Sequence, residues 1–228
     1  MSANQSKTDQ AIDSILAYIT SHGLGVGDKL PSEDEWVQQL GVSRLCVREA
    51  LVSLKFLGIL HSGTRGGSRL QPVDFGLLSR MLSFQIALGG VSMQQLMEAR
   101  LSIEMYACEL LCGHLQDADY KELKELAKAP SIYSHDVHVQ AKGDCEFHRK
   151  LVTGTGNAIL SSFSQLLNIF FEHLAATPAM KTKQPDSYYE RIADDHDCIV
   201  ECLRCGNLDL VRGMLKKHLG GYTAEANT

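Results

Sequence analysis

The sequence predicts a mainly α-helical chain in two parts, a winged helix-turn-helix head of three helices and a small β-hairpin, then an all-helical bundle. Three observations carry this. Leu30 to Leu60 reads as two short helices joined by a tight turn, the glycine-rich stretch after it reads as a hairpin, and from Val73 onward helical punctuation recurs with no strand signal of any strength. Pro72 closes the hairpin, so the expected domains are residues 1–72 and 73–228.

In the head, Ile12, Ile15, Leu16 and Ile19 recur at helical spacing and His22-Gly23 ends that first helix, which should pack behind the next two. Ser32 with Glu35 forms a capping box that opens the second helix, and Gly41 suits its left-handed end. Ser43 caps the third after only a few residues of turn. On that third helix Val47, Ala50, Leu54 and Leu57 fall within an arc of about 80°, while Arg44, Arg48 and Lys55 fall within about 40° on a neighbouring arc. An inward apolar face beside a cationic one suits a helix laid against DNA, because Arg pairs bidentately with guanine O6 and N7 or with phosphate. A solvated amphipathic helix can show the same division. The segment after Gly58 favours DNA: Ile59–Ser62 and Ser68–Gln71 can pair around Gly63-Thr64-Arg65-Gly66-Gly67, a tip that approaches the duplex backbone closely while Arg65 reaches phosphate or the minor groove.

In the second part, Phe75, Leu78, Met81 and Leu82 give a helix ending at Gly89-Gly90. Ser92 and Gln95 cap a long one to about Leu115, and another runs from Asp117 to Lys128, before Pro130. A fourth covers Ser134 to Val152, and Gly154-Thr155-Gly156 then breaks the chain. Asn157 caps a fifth, to about Ala175, and residues 177–186 form a loop. Ser187 and Glu190 cap a sixth ending at Gly206, and Asn207 caps a last one through Leu219.

Composition narrows the function classes. The chain has 228 residues and a formal charge of −5, which argues against a protein that coats nucleic acid generally. The charge is uneven. Residues 1–72 hold seven Lys/Arg and seven Asp/Glu, whereas residues 42–72 alone hold five cations (Arg44, Arg48, Lys55, Arg65, Arg69) against Glu49. A neutral head with one basic surface suits site-specific binding. Seven cysteines, an odd number without a secretory signal, indicate the reducing cytoplasm. Cys198, Cys202 and Cys205 share a helical face and read as small-residue packing rather than a thiolate metal site. No apolar run approaches the roughly 20 residues that span a bilayer.

The bundle also carries candidate ligands. Asp144 and His148 stand at i and i+4 on one helical face, a step that lets two side chains share one ion. Alone it is an ordinary helix-face pair. If Gly206-Asn207 is the hairpin point of the last two helices, His196 and His218 lie about 15 and 18 Å from it at 1.5 Å per residue, at nearly one level. Whether the fourth helix packs at that level does not follow from spacing.

Two resemblances join these observations. Leu30-Pro31-Ser32-Glu33, Gly41-Val42-Ser43-Arg44, Val47-Arg48-Glu49-Ala50-Leu51, Leu54 and Gly58 resemble, in order and spacing, the winged-helix head of GntR-family bacterial transcription regulators. The resemblance implies DNA contact by Arg44 and Arg48, and approach to the minor groove near Gly66. Asp34 departs from the pattern, standing where many relatives carry a DNA-contacting Arg, as do Leu45 and Cys46 in place of Thr or Pro. Residues 73–228 resemble the all-helical FCD effector domain of the FadR subfamily, through Arg100 with Glu104, Asp144-x-x-x-His148, Gly156-Asn157, His196 and His218. Relatives that carry this Asp and three His bind a divalent metal with them, and the Arg matching Arg100 helps hold a carboxylate effector beside the ion. An intrahelical pair with Glu104 is the competing role for Arg100.

The expectation is therefore a cytoplasmic, homodimeric regulator, most often a repressor, with no membrane attachment. Ser43, Arg44, Arg48 and Lys55 would meet the major groove of double-stranded operator DNA, with Arg65 and Gly66 on the wing. Asp144, His148, His196 and His218 would hold a divalent ion, zinc first, with nickel, manganese or iron as alternatives. Arg100 would bind a small organic or sugar acid. Two rivals stand beside it: the same DNA-binding regulator with a purely structural metal, and a metalloenzyme, for which no general base is placed by motif.

Overall fold

A computed structural model describes residues 6–63, 67–72, 76–177 and 184–226, and it is mainly helical. Its contacts divide into two compact units between Leu78 and Ser79, a few residues after the boundary expected at Pro72.

In the first unit, α1 (Lys7–Ser21), α2 (Glu33–Leu40) and α3 (Arg44–Phe56) precede β1 (Leu60–Ser62) and β2 (Ser68–Leu70). The caps are those the sequence specifies. Ser32 N–H donates to Glu35 Oε2 at 2.6 Å while Glu35 N–H donates to Ser32 Oγ at 3.3 Å. Gly41 turns the chain at φ +65°, which a residue with a Cβ adopts only at a cost. Ser43 Oγ then accepts from Cys46 N–H to start α3. The strands pair antiparallel, Leu60 opposite Leu70, His61 opposite Arg69 and Ser62 opposite Ser68. Ala11, Ile15, Trp36, Val47, Ala50, Leu51, Leu54 and Leu60 close one core around α3. Leu57 departs from the inward arc on which helical periodicity places it. It is 47% exposed, because α3 stops at Phe56 and Leu57 lies in its cap. Leu51 takes that place in the core.

The second unit is a helical bundle: α4 (Gly76–Ala87), α5 (Met93–Leu111), α6 (Asp117–Ala127), α7 (Val137–Thr153), α8 (Ala158–Phe163), α9 (Gln165–Ala176), α10 (Asp186–Arg204) and α11 (Leu208–Ala226). Helix α7 is central, packing on α5, α6, α8 and α9, and α11 packs on α10 and α5. The core is continuous through Phe147, Leu151, Leu167, Phe170, Ile199, Leu203 and Leu215. Helix boundaries differ from expectation at three points. The helix capped by Asn157 is interrupted at Ser164, whose Oγ donates to Ser161 carbonyl at 2.6 Å. Helix α7 begins at Val137 rather than Ser134, capped by Asp136, which accepts from His138 and Val139 N–H. Helix α10 begins at Asp186, after Pro185, with no side-chain cap, so the expected Ser187 capping box is not used. Cys198 and Cys205 are exposed rather than packed.

Candidate metal centre and nucleic-acid interface

Three helices bring four donor side chains together. Helix α7 supplies Asp144 and His148 one turn apart, α10 supplies His196, and α11 supplies His218 across the hairpin from it. The level match expected from spacing is what the fold contains, and α7 packs there as well. Asp144 Oδ1 lies 3.2 Å from both His148 Nε2 and His196 Nε2. His218 Nε2 lies 3.1 Å from His148 Nε2 and 3.2 Å from His196 Nε2. All four residues are at most 1% exposed.

These distances suit one divalent ion. Bonds of 2.0–2.1 Å to a tetrahedral centre separate neighbouring donors by about 3.3 Å, close to the edges observed. The electrostatics agree. Burial drives His196 down to about 3 and also lowers His218, so both rings are held neutral with lone pairs to offer. Burial alone would raise Asp144, but hydrogen bonds and charge from His148 and His196 hold it well below the usual carboxylate range. Imidazole nitrogens facing one another at 3.1–3.2 Å repel through their lone pairs unless a proton or a cation lies between them. A cation satisfies all of them at once.

The surrounding groups orient these donors. Glu104 on α5 is fully buried: its Oε2 lies 2.5 Å from His148 Nδ1 and its Oε1 accepts from Arg100 Nε at 2.5 Å. Burial would raise Glu104, but the Arg100 charge and then His148 bring it to about 2. An ionised acceptor at Nδ1 assigns the proton to that nitrogen and leaves Nε2 for the cluster. Asp195 Oδ2 stands 3.6 Å from His218 Nδ1, just beyond hydrogen-bond distance, and its Oδ1 accepts from Lys217 at 2.8 Å. His196 stacks on Phe147 with centroids 3.9 Å apart. Sequence reasoning misses the roles of Glu104 and Asp195. Glu104 already has a local partner in Arg100, and the only sign of Asp195 is its position next to His196.

Arg100 is 2% exposed, with its guanidinium 4.5 and 4.4 Å from the ring centroids of Phe170 and Phe171. The intrahelical pair with Glu104, the competing role for this arginine, is made. It places Arg100 one residue away from His148.

In the head, Ser43, Arg44 and Arg48 are exposed and Lys55 is half-buried. Both arginines are met by acids from the first turn of α2: Arg44 pairs with Asp34, and Arg48 Nη2 lies 3.3 Å from Glu33 Oε2. Leu45, Val52 and Phe56 form an exposed apolar strip beside the cations. Arg69, one of the five cations of the basic surface, donates to Gly27 carbonyl at 2.7 Å. Arg65 and Gly66 lie outside the described residues.

Comparison with known proteins places both units. The profile described as bacterial regulatory proteins, gntR family, matches residues 7–70, and that of the FCD domain matches residues 95–221. The HTH-type transcriptional regulator LutR of Bacillus subtilis is 24% identical over 194 residues, covering 85% of this chain and 89% of LutR. The HTH-type transcriptional repressor NanR of Salmonella newport is 26% identical over 230 residues, covering 97% and 86%. The putative L-lactate dehydrogenase operon regulatory protein of Escherichia coli is 25% identical over 221 residues, covering 93% and 83%. Among solved structures, Streptococcus agalactiae GntR shares the fold with a TM-score of 0.66 at 22% identity, over 97% of this chain and all of that one.

Proposed function

The chain belongs to the gntR family of bacterial regulatory proteins and carries an FCD domain, and from that premise we propose that it represses transcription from an operator until a small acid binds its metal-containing helical domain. Its relatives are transcription regulators, and it is not an enzyme. Among the described residues no helix is long and apolar enough to cross a membrane.

The observation that carries the sensing half is the convergence of Asp144, His148, His196 and His218 beside the Arg100–Glu104 pair. Three nitrogens and one carboxylate oxygen are the donor set expected of a zinc site. A bound ion would supply positive charge and, where its coordination expands beyond these four donors, a position for a ligand oxygen. Arg100 supplies the guanidinium that recognises a carboxylate. The names of relatives support the regulatory half, LutR being a transcriptional regulator and NanR a repressor, and the Escherichia coli relative is named as a putative regulator of an L-lactate dehydrogenase operon. In the head, the α3 face carrying Ser43, Arg44, Arg48 and Lys55 would enter a major groove, with Arg65 and Gly66 on the wing beside it. A homodimer would address two half-sites of a pseudo-palindrome in the cytoplasm. Acid binding would favour one arrangement of the two heads over another and so alter operator affinity.

One observation favours a second reading, in which the ion only staples α7, α10 and α11: all four donors are at most 1% exposed. A single set of measurements separates the two. Full-length protein is assayed for zinc by elemental analysis, and its affinity for a duplex selected from a random pool is followed by fluorescence anisotropy with and without carboxylic acids. Sensing predicts that some acid shifts operator affinity; a staple predicts zinc without any such shift. Arg48→Ala should weaken operator binding by about 1–3 kcal/mol, and unchanged affinity would refute the groove assignment.

A further inference from the structure

Besides Glu104 and the two phenylalanine rings, Arg100 lines a cavity of about 170 Å³ between α4, α5 and α9. Gln95 is the one other polar side chain among the described residues that line it; Leu82, Leu96, Ile103 and Phe170 are typical of the rest. A buried cation at the wall of an apolar cavity selects a ligand with an anionic head and an apolar body. A hydroxylated acid would bring several hydroxyls against leucine, isoleucine and phenylalanine, where Gln95 alone could partner them. Buried hydroxyls without partners are costly. An apolar cavity of about 150 Å³ is large enough to bind benzene, so this volume matches a body of roughly six carbons.

We propose that this cavity is the effector site and that its ligand is a carboxylic acid with an unsubstituted apolar body, an alkanoate or arylalkanoate, rather than a hydroxy acid or sugar acid. The proposal rests on the acid-sensing reading above and narrows it. Glu104 joins the cavity to the donor cluster, one oxygen 2.5 Å from Arg100 Nε and the other 2.5 Å from His148 Nδ1. An acid on Arg100 and an ion on His148 therefore change each other's affinity by one common factor.

The test is isothermal titration of the zinc-loaded full chain with hexanoate and phenylacetate against gluconate and L-lactate. The apolar acids should bind at least tenfold more tightly, and hexanoate should raise zinc affinity in a chelator competition. Ala99→Phe, at an exposed position on the cavity wall, should weaken hexanoate at least tenfold. Ile103→Gln, which brings an amide to the same wall, should narrow the gap between hexanoate and gluconate. Gluconate binding as tightly as hexanoate, or hexanoate indifferent to both substitutions, overturns the proposal. If gluconate binds and shifts operator affinity while Ala99→Phe changes nothing, the cavity assignment falls and acid sensing stands; if no acid of either kind shifts operator affinity, both fall. Conversion of a dimer to a monomer by Ala99→Phe, with no hexanoate heat in the unsubstituted chain, would assign the cavity mouth to a second copy and also overturn the proposal.

Discussion

Glu104→Gln tests the link between the two halves of the helical domain. The carboxylate is fully buried, with one oxygen 2.5 Å from Arg100 Nε and the other 2.5 Å from His148 Nδ1. Glutamine keeps the shape, removes the charge and replaces one acceptor by an NH2 donor. Its single oxygen serves either Arg100 or His148, and the NH2 then faces the other donor. If the oxygen stays on Arg100, His148 loses the acceptor that fixes its tautomer and ring orientation. Loss of such an outer partner costs 10–100-fold in metal affinity, about 1.4–2.7 kcal/mol. In either orientation a buried guanidinium loses its counter-charge, and breaking a buried pair from one side costs about 3–5 kcal/mol. That is a large part of the 5–15 kcal/mol typical of a whole domain. The assay is competition for zinc against a chromophoric chelator, with thermal unfolding of the metal-free and zinc-loaded forms beside it. The variant should bind zinc more weakly, and the rise in Tm on zinc addition should shrink. A folded Glu104→Gln protein whose zinc affinity stays within about twofold of the parent, well below the ~10-fold minimum, and whose metal-free Tm is also unchanged would refute the claim that Glu104 orients His148.

Asp34→Asn releases Arg44 from an exposed pair worth about 0–1 kcal/mol, so unfolding should barely change, while the lost negative charge beside α3 should raise affinity for non-operator duplex. Anisotropy at two salt concentrations reads this, and an unchanged ratio of operator to non-operator affinity would count against it. His196→Ala and His218→Ala each remove one of four donors and should leave the purified protein without stoichiometric zinc by elemental analysis. Retention of zinc by both would show that the ligand set is wrong. Gly143 precedes Asp144 on α7, and a Cβ there would meet Ser131 Oγ at 2.2 Å and Ser131 Cβ at 2.7 Å. Gly143→Ala should therefore cost about 1–3 kcal/mol in urea unfolding, with much of the loss recovered when Ser131→Gly is added.

Much of the head is legible in the sequence because its punctuation is local. Ser32, Gly41 and Ser43 determine where α2 begins and ends and where α3 begins through contacts within four residues, and those caps are the ones formed. The donor cluster is legible only in part. The i, i+4 step of Asp144 and His148 and the level match of His196 with His218 follow from helix geometry. That α7 packs at that level depends on the Phe147, Leu151 and Phe170 core, which no local pattern encodes. The second role of Glu104 is hidden for the same reason: its short-range partner explains it fully, and the long-range one lies on another helix. The break at Ser164 arises from a hydroxyl competing for a backbone carbonyl, a choice that apolar periodicity does not reveal.

One pattern joins the two domains and separates their chemistry. Arg44 and Arg100 are the arginines proposed here for DNA and for the acid, and each already has a carboxylate partner. The difference lies in burial. Arg44 and Asp34 are 62% and 66% exposed, so exchanging Asp34 for a phosphate or a guanine edge loses little, because water and counterions already screen the pair. The side chains of Arg100 and Glu104 are 1% and 0% exposed, and parting them would leave two uncompensated buried charges. DNA can therefore replace the partner of Arg44, whereas an acid must join Arg100 while Glu104 stays in place. On the proposed reading that constraint would keep Glu104 between ligand and ion, so that any acid binding Arg100 would act on His148 through the same carboxylate.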